Sequence, residues 1–344
     1  MCKIAFMPYI NSFLPSKIGS YHLWSFDTEA DKYVHDESVK VQIQKILNIH
    51  YERKISRKSA EDVIINNMMM ITPDDYIQKG YTYSEDDVSN IISISHIIAF
   101  SGICEYRNSS GNSDGFKLMI YKTNSSSKGF SIYNQMFSNI DYVKLLKPYT
   151  ATNHLYNYSP SSLVETIGNS LSSRGTNPDV VRILRALELF YYASSMDELS
   201  SNESRILNLT MCFEVLLDFK NKLDFARQLD KMLMGKTVVK ETRTLKWRGK
   251  ELVETLSITA WWGFDLYDLR NDIVHCNQID WQNKKYGYIY HRVGIGGKFL
   301  KSLIADKLEE HNFFDNHISY SFTRDYEFDK LLVDMKETLK EENL

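Results

Sequence analysis

The chain has 344 residues, of which 43% are hydrophobic, 13% aromatic and 25% charged, so it is long enough for two domains and too apolar for a disordered protein. The formal net charge of -3 at pH 7 excludes a protein that is basic throughout, and any nucleic-acid contact must come from a local patch. The four cysteines are too scattered for a redox pair or a zinc knuckle, which predicts free thiols in a reducing compartment.

The N-terminal half, residues 1–160, predicts a mixed α/β domain. Four short apolar or alternating segments are typical of strands: 4–7, 21–26, 116–121 and 130–133. Segments 39–51 and 86–99 favour helices, and the acidic start of the second suits a helix N-terminus. A stretch rich in Ser, Asn and Pro at 156–178, with a short helix predicted at 163–171, separates this half from the next.

The C-terminal half, residues 177–344, changes to consecutive amphipathic segments. Apolar residues recur at helical spacing in six of them: 180–193, 201–216, 223–234, 251–276, 299–310 and 328–341. A glycine-rich segment at 294–297 predicts a break before the fifth helix. Short connections between amphipathic helices favour an antiparallel bundle. The fold class predicted for the whole chain is therefore α+β, with a mixed α/β domain followed by an all-α bundle.

The apolar segments are too short or too interrupted for a membrane protein. The longest apolar run, 91–104, contains serines and a histidine and falls short of the roughly 20 residues that a membrane span requires. Prolines break the segment after Lys3, which does not resemble a secretory signal. We therefore predict a cytoplasmic protein with no membrane partner. No metal-ligand spacing and no cofactor motif is found, so no metal and no cofactor is predicted.

The most informative segment is 265–275, close to the end of the fourth predicted helix, with the sequence DLYDLRNDIVH. Asn271 and Asp272 lie four and three positions before His275, so both share a helix face with it. Arg270 lies five positions before His275, and the two differ by roughly 140° around a helix axis. Bringing Arg270 and His275 together requires the length of the Arg side chain, a distorted helix end or a second copy of the helix.

This segment resembles the signature of the HEPN superfamily, an Arg followed after four to six residues by a His. A polar residue commonly follows that Arg, as Asn271 does here. The context resembles the Apea-like branch, in which an acidic residue within an apolar helix, as Glu214 is here, precedes the motif helix. The resemblance covers about residues 178–312. One departure is Cys276, because relatives commonly have a small residue such as Gly after the His.

The resemblance implies a HEPN-type helical bundle that acts as a metal-independent endoribonuclease on RNA. It also implies a homodimer in which two motif helices face each other across a composite cleft. Similar proteins often act in phage defence or as toxins, so an antitoxin or a phage-derived trigger is an expected partner. The N-terminal domain would then sense the trigger or select the substrate.

The residue types of the motif fit this chemistry. RNA cleavage without a metal uses the ribose 2′-hydroxyl as the nucleophile, and a His can accept its proton or protonate the leaving oxygen. An Arg stabilises the charge that develops around phosphorus. We therefore predict Arg270 and His275 as the catalytic pair, with Asn271 or Asp272 orienting the imidazole. Glu214 would support this pair or hold the helices in register through an ion pair with Arg270.

A basic segment before the motif helix is the best candidate for an RNA-binding surface. Its only acid is Glu241, and its tryptophan could stack on a base. The candidate RNA-binding residues are Lys236, Lys240, Arg243, Lys246, Trp247, Arg248 and Lys250. The alternative is a solvated, mobile connection between helices.

Two alternatives remain for the motif itself. An Arg and a His near a helix C-terminus also stabilise the helix dipole, so the pair could be a structural cap. Some HEPN bundles are inactive dimerisation or recognition modules that bind RNA or a protein partner, and the acidic net charge fits such a module. Complete neutralisation of Arg270 by Glu214 would favour the module, whereas a positively charged composite cleft would favour the nuclease.

Overall fold

The structure is a computed structural model that describes residues 2–12, 14–55, 68–105, 113–123, 130–132, 156–157, 160–195, 200–232, 239–247, 249–279, 281, 289–311 and 313. The chain divides into two compact units, Met1–Thr176 and Asn177–Leu344. Helices and antiparallel sheets are both present, so the predicted α+β class is confirmed at this coarse level.

The first unit is built around a sheet of antiparallel strands in the order β2-β3-β4-β1-β5-β6, with β7 parallel to β1. Its strands are β1 (Lys3–Asn11), β2 (Ser16–Ile18), β3 (Tyr21–Ser25), β4 (Met68–Pro73), β5 (Met119–Thr123), β6 (Phe130–Ile132) and β7 (Tyr156–Asn157). Every residue of β4 is buried, as expected of a strand with a strand on either side and helices packed nearby. The four predicted strands are confirmed, although the third begins at Met119 rather than at 116.

The helices of the first unit are α1 (Phe26–Tyr33), α2 (Glu37–Ile55), α3 (Glu85–Glu105) and α4 (Ser162–Ser170). The three helices predicted in this part of the chain are confirmed as α2, α3 and α4. α3 begins with a reciprocal capping pair, because the Ser84 N–H donates to Asp87 Oδ2 at 2.8 Å and the Asp87 N–H donates to Ser84 Oγ at 3.0 Å. Among the described residues, the window Glu85–Cys104 is long and apolar enough to cross a membrane, but 72% of it is buried, as in a soluble core helix.

The second unit contains helices α5 (Pro178–Ala193), α6 (Asn202–Leu217), α7 (Lys222–Met232), α8 (Ile258–Val274) and α9 (Ile289–Glu310). The side chains of Asn177, Ser201 and Ser257 cap α5, α6 and α8 by accepting backbone N–H groups of the first turn. These caps explain why the helices begin where they do. The helix predicted at 328–341 lies outside the described residues.

The expectation that this half is all-α is wrong, because a β-hairpin precedes the motif helix. Strands β8 (Lys240–Trp247) and β9 (Lys250–Ser257) pair in continuous antiparallel register. The fourth helix therefore begins at Ile258 and not at 251. Trp247 pairs with Lys250, which leaves a two-residue turn in which Gly249 has a φ of 77°. Such a turn favours a hairpin, as does the alternation of β-branched and other residues along both strands.

Helix α9 also differs from its prediction, since it runs through the glycine-rich segment 294–297 without a break. A Cβ at Gly296 would lie 2.7 Å from Leu209 Cδ1 and 3.3 Å from Trp262 Cη2. This glycine therefore permits close packing of α9 against α6 and α8. A Cβ at Gly294, in contrast, would meet no atom within 4 Å.

Alanine substitutions at these two glycines are expected to have opposite effects on the free energy of unfolding. Gly294→Ala should raise it by about 0.5–1 kcal/mol, because alanine favours a helix and the added methyl meets open space. Gly296→Ala should lower it by about 1–2 kcal/mol, because the added methyl overpacks the contact with Leu209 and Trp262. Urea denaturation of the full-length variants measures both changes. Stabilisation by Gly296→Ala would contradict the close packing of α9.

Candidate functional site

The motif helix α8 is attached to the hairpin by Arg243 of β8. The Arg243 guanidinium lies 4.6 Å from the centroid of the Trp261 ring and donates to Asp265 Oδ1 at 3.0 Å and to Glu241 Oε1 at 2.8 Å. Burial alone would lower the pKa of this guanidinium, but the two carboxylates outweigh burial and raise it above its usual value. Arg243 therefore stays charged and its contacts fix α8 against the hairpin.

Helix α8 is attached to α7 by a second cation in a similar arrangement. Lys222 Nζ lies 4.7 Å from the centroid of the Phe264 ring and 2.6 Å from Asp268 Oδ1. Arg243 and Lys222 thus each contact an aromatic ring of α8 and the carboxylate four positions later in the chain. Residues four apart share a helix face, so one side chain can reach both. The two cations thus fix α8 against the hairpin and α7 at positions that precede Arg270 in the helix.

Helix α8 ends at the motif in a Schellman arrangement. His275 is the C-cap residue, and Cys276 follows it with a left-handed φ of 55°. The Cys276 N–H donates to the Ile273 carbonyl at 3.1 Å, and the Asn277 N–H donates to the Asp272 carbonyl at 2.9 Å. These two hydrogen bonds define the Schellman arrangement at the end of a helix. Cys276 therefore takes the backbone conformation that glycine commonly takes after a helix, and His275, at the helix end, is exposed to solvent.

Cys276→Gly is expected to raise the free energy of unfolding by about 0.5–1 kcal/mol. Glycine removes the steric cost of a left-handed residue, about 1–2 kcal/mol, and part of this gain is offset by the greater backbone freedom of glycine in the unfolded chain. Cys276→Val is the opposite control, because a β-branched side chain tolerates this conformation poorly. Thermal unfolding of the two variants beside the wild type measures the difference, and destabilisation by Cys276→Gly would contradict this helix end.

Arg270 lies one turn before the helix end and is held by three neighbours. Its guanidinium carbon is 5.3 Å from the centroid of the Tyr267 ring. One terminal nitrogen, Nη1, donates to Asn271 Oδ1 at 3.2 Å, and the other, Nη2, lies 3.7 Å from Glu214 Oε1 on α6. The Arg270 and Glu214 side chains keep 28% and 30% of their exposure. The Arg270–Glu214 pair is therefore long and accessible to water, and it leaves the guanidinium within reach of another anion.

The two residues predicted to orient the imidazole have other partners. Asn271 Oδ1 accepts from Arg270, and Asp272 Oδ1 accepts from Asn277 Nδ2 at 3.0 Å. Within the described part of the chain, neither side chain forms a hydrogen bond with the His275 imidazole. Sharing a helix face with His275 is therefore not enough for Asn271 or Asp272 to form a hydrogen bond with it. Asn277, which lies outside the predicted motif, closes the helix end with both its backbone and its side chain.

Of the basic segment predicted to bind RNA, Lys240–Trp247 forms strand β8 and Lys250 begins β9, so this part of it is not a connection between helices. Lys240 and Lys246 alternate with inward-facing residues of β8 and are exposed, and Lys250 is exposed at the start of β9. Lys246 pairs across the hairpin with Glu251, so an acid lies beside the outer lysines. Trp247 ends β8, and its side chain lies outside the description, as do Lys236 and Arg248.

No group of three or more His, Cys, Asp or Glu side chains is placed to hold a metal ion within the residues that the structure covers. Comparisons of the chain with protein-family models, with curated proteins and with solved structures gave no match. The HEPN assignment therefore stays a prediction, which rests on the motif and its helical context.

Proposed function

We propose that this protein is a metal-independent endoribonuclease of HEPN type, in which Arg270 and His275 form the catalytic pair. One observation carries the proposal. The C-terminal end of α8 combines a partly exposed Arg guanidinium with an exposed His at the C-cap. Cations at a helix C-terminus interact favourably with its partial negative charge even when they have no other role. A purely structural cap, however, does not require the Arg270 guanidinium to lie over the Tyr267 ring and to donate to Asn271.

The proposed reaction is an intramolecular transesterification. The ribose 2′-oxygen attacks the adjacent phosphorus, the bond from phosphorus to the 5′-oxygen breaks, and the products are a 2′,3′-cyclic phosphate and a 5′-hydroxyl. His275 in its neutral form removes the proton from the 2′-hydroxyl, or in its protonated form donates a proton to the leaving oxygen. Arg270 stabilises the negative charge on the non-bridging oxygens through its N–H groups.

A homodimer is part of the proposal. Arg270 and His275 differ by roughly 140° around the axis of α8. The two side chains of one copy therefore lie on different sides of the helix. A second motif helix facing the first brings an Arg of one copy towards a His of the other and supplies two imidazoles, one as base and one as acid. Val274 and Met211, with 49% and 39% of their surfaces exposed, are apolar residues of α8 and α6 that such an interface would cover.

A role in phage defence or as a toxin, in the cytoplasm and under the control of an antitoxin or a phage-derived trigger, belongs to the same proposal. On this proposal the first unit senses the trigger or selects the RNA. These biological roles depend on the HEPN resemblance and have no separate support from the geometry of α8.

A recognition module that binds RNA or a protein partner without cleaving it is the second candidate. The observation that favours it is the ion pair between Arg270 and Glu214, at 3.7 Å, which occupies part of the guanidinium. The engagement of Arg243 by two carboxylates reduces the positive charge of the hairpin in the same way, and Glu251 lies opposite Lys246 in the strand register. In such a module the motif would hold helices α6 and α8 in register.

RNA cleavage by the purified full-length protein in the presence of EDTA tests the proposal. The variants are Arg270→Ala and His275→Ala, and Gln278→Ala serves as a control because this exposed side chain lies just beyond the motif. Loss of cleavage in both motif variants, with the control unchanged and all proteins equally folded, supports the nuclease. Equal cleavage by all four proteins would contradict the assignment. RNA binding without cleavage by the wild type would favour the recognition module.

A further inference from the structure

The Arg270 guanidinium can be held in place in two ways that differ in their effect on a phosphate. An ion pair with Glu214 uses the N–H groups at the edge of the guanidinium, and these are the groups that a phosphate would bind. Stacking on the Tyr267 ring uses the flat face and leaves the edge donors available. A residue that aims Arg270 at RNA without competing with RNA must therefore contact its face. Tyr267 is placed to do this, because the guanidinium carbon lies over its ring, 5.3 Å from the ring centroid.

The Tyr267 ring is itself held in position by two phenylalanines. Phe219 meets it edge-on with ring centroids 5.5 Å apart, and Phe225 lies 6.5 Å from it in a tilted arrangement. The two phenylalanines stack on each other at 4.2 Å with an interplanar angle of 16°. Phe225 is fully buried, so this group of three rings, the Tyr267 platform, has a fixed base.

The C-terminal end of α6 leads directly into this platform. Asp218 ends α6 with a left-handed φ of 49°, and its N–H donates to the Glu214 carbonyl at 3.1 Å. This sharp turn directs the chain into Phe219, which reaches the Tyr267 ring. A left-handed non-glycine residue is uncommon. Here it places the platform and the Glu214 carboxylate at the same end of one helix.

We propose that Tyr267 is the positioning residue for Arg270: the platform of Phe219, Phe225 and Tyr267 holds the guanidinium by its face so that its edge points at the scissile phosphate. This inference rests on the proposed ribonuclease function and assigns a role that the HEPN resemblance does not carry. Glu214, 3.7 Å from Nη2, and Asn271, which accepts from Nη1 at 3.2 Å, then compete with the phosphate for the edge of the guanidinium, and both contacts yield when RNA binds. The Tyr267 hydroxyl has no part in the step.

The kinetic test compares Tyr267→Phe, which keeps the ring, with Tyr267→Leu, which removes it. Tyr267→Phe should cleave RNA within about 3-fold of the wild type, whereas Tyr267→Leu should lower kcat by about 10- to 100-fold and change KM by less than about 3-fold, because a misplaced catalytic group affects the chemical step. Tyr192→Leu is the matched control, since it is the same exchange at an exposed tyrosine of α5, outside the proposed site, and kcat should stay within about 3-fold of the wild type.

Three results would overturn the proposal: an unchanged kcat in Tyr267→Leu, an equal loss in Tyr267→Phe, or an equal loss in the Tyr192→Leu control. The second result would transfer the role to the hydroxyl, and the third would indicate a general effect on the folding of the second unit.

A second measurement separates this proposal from the nuclease assignment, because it needs no cleavage. The NMR signal of the Arg270 side-chain Nε–Hε group is identified by its loss in Arg270→Lys. We expect a ring-current shift in the wild type, the same shift in Tyr267→Phe, and its disappearance in Tyr267→Leu. If the wild type cleaves no RNA, the proposed function fails and this signal still decides whether Tyr267 holds Arg270. An unshifted signal in the wild type would show that it does not.

Discussion

Arg270→Lys is expected to lower the rate of RNA cleavage by about 10²- to 10³-fold, although it preserves the positive charge. A lysine ammonium offers no flat face to stack on Tyr267 and no planar pair of donors for two phosphate oxygens. It is also a more strongly hydrated point charge, so its position at the helix end would be less well defined. Single-turnover cleavage of a short RNA, with enzyme in excess, isolates the chemical step and measures the effect.

Lys222→Arg is the control for this prediction. It is the converse exchange of one cation for another on the neighbouring helix, and the longer side chain can still reach Asp268 and lie over Phe264. Its cleavage rate should stay within about 3-fold of the wild type, because the exchange preserves the positive charge and both contacts with α8. A rate for Arg270→Lys equal to that of Lys222→Arg would mean that charge alone is required, and the geometric role assigned to Arg270 would be wrong.

Trp261→Ala is expected to lower the free energy of unfolding by about 3–5 kcal/mol, the usual range for truncating a buried tryptophan. Trp261 is 1% exposed and belongs to the apolar cluster that joins the hairpin to α7 and α8. Its Nε1–H donates to the Glu241 carbonyl at 2.8 Å, and its ring lies under the Arg243 guanidinium. The substitution therefore leaves a cavity and removes the main anchor of the hairpin. Urea denaturation followed by circular dichroism measures the change.

Trp261→Phe provides the graded comparison. It retains an aromatic ring under Arg243 and loses the hydrogen bond to the Glu241 carbonyl, so the expected loss is about 1–3 kcal/mol. A change below about 1 kcal/mol in Trp261→Ala would contradict the attachment of the hairpin through this residue.

Most helices of both halves were predictable because their apolar periodicity and caps are local properties of the sequence, although α1 (Phe26–Tyr33) was not predicted. Asn177 and Ser201, for example, lie directly before helical periodicity and cap the helices that follow. The predicted break at 294–297 was wrong for a tertiary reason. Gly296 is required by the approach of Leu209 and Trp262, and a single sequence does not distinguish a glycine that ends a helix from one that lets helices touch.

The hairpin was missed because its charge pattern was more prominent than its strand pattern. The basic residues of 240–250 suggested a loop, and the apolar residues after 251 were assigned to the motif helix. The alternation of threonines with inward-facing residues and the turn at Gly249 are the local indications of strands.

The residues of the candidate site could be selected from the sequence, but the hydrogen-bond partners of their side chains could not. The pattern identified Arg270, His275 and Glu214, and the structure brings Glu214 to Arg270. Helical geometry also placed Asn271 and Asp272 on the face of His275. Their hydrogen bonds go instead to Arg270 and Asn277. These choices depend on where the helix ends and on the turn that follows it, which spacing alone does not determine.

The measurement that tests the central claim most directly is the identity of the ends left on a short RNA cleaved in the presence of EDTA. Attack by the 2′-oxygen predicts a 2′,3′-cyclic phosphate and a 5′-hydroxyl, no cleavage when the 2′-hydroxyl at the scissile position is replaced by hydrogen, and loss of both products in His275→Ala. Products ending in a 3′-hydroxyl and a 5′-phosphate, or undiminished cleavage by His275→Ala, would contradict the account.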